Sequence, residues 1–150
     1  MSYILIAVIA VGIGIVLYVV LAPKLKHMQE GVWDITLETQ LPDADTKITV
    51  SLSQELTKTN PVPNIELPGY ECRLQERRHM FFVIGDTVYW RVYCKGENEF
   101  QGSAKIKYNI DRFSGKIQMR TINDEKGQRR FDLLLTGTYK EPAGSGKGKD

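Results

Sequence analysis

From Tyr3 to Ala22 the chain reads "YILIAVIAVGIGIVLYVVLA", with no charged or strongly polar position. A helix rising about 1.5 Å per residue covers about 30 Å in roughly twenty residues, the depth of a bilayer's hydrocarbon core. Gly12 and Gly14 weaken a helix in water, but in lipid every backbone group must bond internally and the helix persists. The pattern predicts a single transmembrane helix over 1–22. It reads as an uncleaved anchor rather than a signal peptide. No Lys or Arg precedes the run, the run exceeds the about 7–15 apolar residues of a signal sequence, and Pro23 follows the small residue at which cleavage would fall.

After a short juxtamembrane linker, 23–30, the hydrophobic period changes to two. Trp33, Ile35 and Leu37 alternate with Asp34, Thr36 and Glu38, and Ile48, Val50 and Leu52 alternate with polar partners. The same alternation runs through Val88–Cys94, Ala104–Ile110, Ile117–Met119 and Phe131–Leu135. Each stretch reads as a strand with one face on a core and the other wet. Gly85-Asp86, between "HMFFVI" and "TVYWRVYC", reads as a two-residue hairpin loop with glycine where positive φ is needed. "DRFSG" and "NDEKGQ" are turn clusters, and "TKTNPVPNIELPGY" is one long irregular loop. Only Gln54–Thr59 offers a short helical turn. The fold class is mainly β: a single N-terminal transmembrane helix, then an antiparallel meander of seven or eight strands over 31–140, barrel-like or sandwich, then a flexible tail over 141–150.

Composition narrows the function. The 20 basic and 18 acidic residues nearly cancel, all beyond the apolar run, so the balance gives no reason to expect nucleic acid. The β region is long enough for one modest core. Two cysteines, Cys72 and Cys94, are compatible with one disulfide in an oxidising compartment or with two free buried thiols. Lys24 and Lys26 after the helix favour a cytoplasmic domain by the positive-inside rule, although whole domains cross regardless of charge.

Motif order then suggests a relationship. "GVWDITLET", "TVSLSQELTK", Cys72, "GDTVYWRVYC", "GSAKIKY", "FSGKIQM" and "LLTGTY" follow one another in the order seen in a bacterial periplasmic family, domain of unknown function 3617. The chain resembles that family over about 31–140, most specifically in the Cys72/Trp90/Cys94 group. It departs where the family usually has a first cysteine, here Ser51, and where it usually ends in Gly-x-Cys, here near Pro142. The resemblance implies an exported β-rich domain on the periplasmic side of a bacterial inner membrane and no activity. It meets a geometric difficulty: a regular ladder from the Gly85-Asp86 turn sets Arg77 opposite Cys94 and leaves Cys72 about 16 Å away, whereas a disulfide needs Cα atoms within about 7 Å. Either the strand breaks near "QERRH" or the bridge does not exist; the break is the favoured reading, because Glu76-Arg77-Arg78 interrupts the alternation there.

Candidate chemistry is thin. His27 and His79 stand at no metal-ligand spacing from the cysteines, and no CxxC pair, haem motif or nucleophile elbow occurs, so no cofactor, metal or catalytic residue is predicted. The acidic residues, among them Asp34, Glu38, Asp43 and Asp45, read as solvated surface. Lys24, Lys26, His27 and Trp33 are the candidate membrane-interface residues, Trp33 also reading as core. Arg77-Arg78 and Arg129-Arg130 are candidate headgroup or acidic-partner contacts. Ala7, Ala10, Gly12 and Gly14 offer smooth surfaces for close helix packing. These features point to a non-enzymatic accessory subunit whose helix docks on a larger integral membrane complex. The alternative is a tethered barrel holding a lipid or other apolar ligand among Phe81, Phe82, Tyr89, Tyr93 and Phe113.

Overall fold

The computed structural model describes residues 2–21, 24–74 and 81–142, with side chains in the N-terminal helix described up to Leu17. Helix α1 spans Ser2–Leu21. Eight strands follow: β1 (Gly31–Thr39), β2 (Ile48–Leu56), β3 (Glu71–Leu74), β4 (Phe81–Ile84), β5 (Thr87–Lys95), β6 (Glu99–Asn109), β7 (Arg112–Ile122) and β8 (Arg130–Pro142). All pair antiparallel in one sheet, in the order β2-β1-β8-β7-β6-β5-β3, with β4 also on β5. β3 and β4 are thus two pieces of one stave, and the meander curls into a half-barrel left open between β2 and β3. The expected antiparallel β domain is present, as one curled sheet and not two packed ones.

Period-two patterning explains the strands. In β1 Trp33, Ile35 and Leu37 face inward, and in β5 Val88, Trp90, Val92 and Cys94 do the same. The interior is filled by side chains from every wall. Trp33 lies edge-on to Tyr108 with ring centroids 5.4 Å apart, and Phe113 lies 5.5 Å from Trp33. Phe100 lies between Tyr70, tilted against it at 5.0 Å, and Phe131, which meets it edge-on at 4.9 Å. Burying large apolar side chains of this kind contributes about 1.5–3 kcal/mol each.

The proline-rich segment 57–70 covers the open seam. Proline cannot donate to a ladder, so this stretch closes the gap with side chains instead of strand bonds. Val62 and Leu67 are buried in the core. Gln54 of the β2 edge accepts from the Asn64 amide at 2.7 Å, and the buried Tyr108 hydroxyl donates to the Pro61 carbonyl at 2.6 Å.

Several expectations are corrected. Gln54–Leu56 completes β2, because Leu56 is needed in the core, and the turn falls at Thr57–Asn60 through reciprocal backbone bonds. The "DRFSG" turn is displaced: the loop is Ile110-Asp111, Asn109 faces Arg112, and Phe113 enters the core. The stretch 23–30 does not act as a free linker where it is described. Leu25 and Met28 are 1% and 4% exposed and belong to the β core, because the segment packs back on the barrel end.

The cysteine difficulty resolves by register. Cys72 faces Cys94 and Leu74 faces Val92, while Phe81 faces Trp90. Residues 75–80 therefore separate partners that on β5 are separated by Arg91 alone, a five-residue shift between β3 and β4. The Cys72–Cys94 disulfide bridges directly opposite positions. His79, Arg77 and Arg78, and the tail from 143 onward, lie outside the described residues.

Candidate functional site

Helix α1 has no polar face. Its large apolar side chains from Tyr3 to Leu17 are 51–87% exposed, and a methyl group added at Gly12 or Gly14 would meet nothing. Ala7 floors a shallow apolar depression between Tyr3, Ile4, Val8 and Val11. The transmembrane helix expected over 1–22 is not borne out here: among the described residues no helix is long and apolar enough to cross a membrane. The side chains described, 2–17, cover about 24 Å at 1.5 Å per residue, short of a hydrocarbon core of about 30 Å.

The segment after the helix is clamped to one end of the barrel. Leu25 donates its amide to the Gly85 carbonyl at 2.7 Å, closing on the hairpin between β4 and β5. His27 engages Asp86 twice, its backbone amide donating to Oδ1 at 2.8 Å and its ring Nδ1 lying 2.6 Å from Oδ2. The His27 carbonyl accepts from the Ile110 amide, tying the segment to the β6–β7 turn. Asp86 in turn accepts, through its backbone carbonyl, from the Tyr108 amide at 2.9 Å. Partial burial acts to raise the Asp86 carboxyl, but the hydrogen bonds from His27 outweigh it and hold the group below the ordinary carboxylate range. The hairpin loop that the sequence marks at Gly85-Asp86 thus doubles as the receptor for the segment leaving the helix. Asp86 carried no signal as a site residue beyond its place in the turn, since its partner lies 59 residues away.

Other candidates fall elsewhere. Trp33, an interface candidate, is fully buried beneath Tyr108, Phe113 and Tyr139, because it sits on the inward face of β1. Lys24 and Lys26 are exposed. Arg129 is structural: it donates to Asp124 at 2.7 Å and to Asp43 at 2.5 Å, fastening the β1–β2 loop to the β7–β8 loop at the far end of the barrel. These bonds draw the Asp43 carboxyl below its ordinary range. Arg130 instead joins Arg91 and Arg120 around a polar groove of about 410 Å³ on the outer face of β5–β8, with Ser103, Gln118 and Asp132. Only strand register reveals that group. The aromatics proposed as ligand walls do not converge: Phe113 is core, whereas Phe82 stacks on Tyr89 on the outer surface. Among the described residues no cluster of His, Cys, Asp or Glu is arranged to hold a metal ion.

The fold and site define a class: an apolar helix joined, through a clamped segment, to a disulfide-bridged antiparallel half-barrel with a filled interior. No protein-family model, curated protein or solved structure matches the chain.

Proposed function

We propose that the chain is a single-span, membrane-anchored accessory protein, with α1 lodged in the bilayer and docked on a larger membrane complex while the β domain stands on the oxidising side. The observation that carries this reading is the exposed, all-round apolar surface of α1. A helix apolar on every side belongs in a large protein core or in lipid, and the β domain leaves this one uncovered. In sequence the apolar run continues through "YVVLA" at 18–22, and the helix backbone of Ser2–Leu21 is about 30 Å long at 1.5 Å per residue. Docking is supported by Ala7, Ala10 and Gly14, which share one helix face and leave room for a neighbouring backbone. The Cys72–Cys94 bridge supports an oxidising compartment, and the motif order shared with the periplasmic domain of unknown function 3617 family supports the periplasmic face of a bacterial inner membrane.

The full-length chain tests this in native membranes. It should resist alkaline carbonate and, in mild detergent, migrate with partner proteins; Ala10→Leu with Gly14→Leu should reduce partner recovery at unchanged membrane retention. Release by carbonate, or recovery only as a monomer, would overturn the proposal.

A further inference from the structure

The end of the barrel that receives the α1 segment carries features its own folding does not require. Ile110 sits in the β6–β7 turn with φ of 56°, in the left-handed region. A β-branched residue there is an outlier; glycine or asparagine would make the same turn without the steric cost. Yet the Ile110 side chain is 57% exposed and stabilises no core. Ile84, flanking the neighbouring hairpin loop, is 52% exposed, and His27 bonds to both this loop and the Ile110 turn. The two isoleucines therefore crown the end to which segment 25–27 is fastened.

Basic side chains gather nearest the two isoleucines. Lys24, Lys26, Lys107 and Arg112 are exposed around the isoleucines. Of the acids at this end, Asp86 is taken up by His27 and Glu30 by the Lys58 amide, while Asp111 lies in the turn and Glu55 and Glu141 flank Val32 on the side of β1. Apolar side chains framed by lysine and arginine match the boundary between acyl chains and anionic headgroups, each basic residue adding attraction to such a surface.

We propose that Ile84 and Ile110, framed by Lys24, Lys26, Lys107 and Arg112, seat this end of the barrel on an anionic phospholipid surface. The proposal rests on the membrane reading of α1. With the clamp of segment 25–27 at Gly85, Asp86 and Ile110, it sets this end of the domain against the bilayer.

The test uses the full chain in phosphatidylcholine vesicles with and without phosphatidylglycerol. A spin label is placed at Ile110→Cys, at Ile84→Cys or, as a reference on the exposed outer wall midway along the barrel, at Leu134→Cys. Collision with oxygen reports depth in lipid, and collision with a water-soluble nickel chelate reports exposure. Labels at 84 and 110 should favour oxygen several-fold over the reference in anionic vesicles. They should move toward the aqueous value in phosphatidylcholine alone and in Lys107→Glu with Arg112→Glu. Labels as wet as the reference in both lipids, on a chain that resists carbonate, would overturn the seating while leaving the anchor standing. Shielding seen only in native membranes would assign the patch to a protein partner and equally overturn it. Release of the chain by carbonate would remove the anchor reading itself.

Discussion

Opening the Cys72–Cys94 bridge, by Cys72→Ala with Cys94→Ala, perturbs the barrel at its weakest point. β3 is four residues long, lies at the sheet edge and meets only β5 through the ladder. Its other flank is the proline-rich segment, which contributes core side chains such as Val62 and Leu67 but no strand. The bridge spans a sequence separation of 22, and for a loop of that size the chain-entropy relation gives about 3 kcal/mol of stabilisation at 25 °C. Against a net stability of about 5–15 kcal/mol for a typical domain, that is a large share. Urea unfolding of the full chain in detergent, followed by Trp33 and Trp90 fluorescence, should show the midpoint falling by roughly 1–3 M at ordinary urea sensitivities. Amide exchange should rise first in Glu71–Leu74 and in segment 57–70, with β6 and β7 the last to follow. A loss below about 0.5 kcal/mol, or exchange rising first in β6 and β7, would refute the reasoning, because the cross-link would then not be what holds the β3 edge.

Gly137 lies directly under the Phe113 ring, its cross-strand partner, so a methyl there would overlap the aromatic; Gly137→Ala should cost about 1–3 kcal/mol by thermal unfolding, as overpacking does. Tyr108→Phe removes the donor to the Pro61 carbonyl and should cost about 1–2 kcal/mol by the same measurement, with faster exchange in segment 57–70. Asp86 titrates below its ordinary value in the folded chain, so its contribution to stability is present above the unfolded carboxylate range and is lost as pH falls through the lower folded value. Denaturant titrations from pH 5 down to about pH 2 should therefore fall less steeply for Asp86→Asn than for the parent chain, while the Arg129 bonds to Asp43 and Asp124 give the remaining slope.

Strand patterning was open to reading because each strand has one wet face: the alternation around Trp33, Val88–Cys94 and Ala104–Tyr108 records burial on one side residue by residue. The Gly85-Asp86 hairpin was equally legible, since a two-residue loop needs a residue tolerating positive φ. The Ile110-Asp111 turn was not, because isoleucine is poorly suited to the conformation it adopts there and the neighbouring "DRFSG" looked the better turn. Trp33 shows the other limit. Ten residues past an apolar helix, an amphipathic ring suits an interface as well as a core, and only the closing of Tyr108, Phe113 and Tyr139 around it decided for the core.

The chain alone determined the long apolar run at its start, the β character of the rest and the choice between a strand break before the Gly85 hairpin and no Cys72–Cys94 bridge. These are local consequences of periodicity and chain reach. Tertiary structure decided that the sheet curls to a seam covered by segment 57–70, that His27 finds Asp86, and that Ile84, Ile110 and four basic side chains gather at one end. Such groupings join residues tens of positions apart, and no local pattern encodes them; they arise only when antiparallel register sets the strand ends side by side.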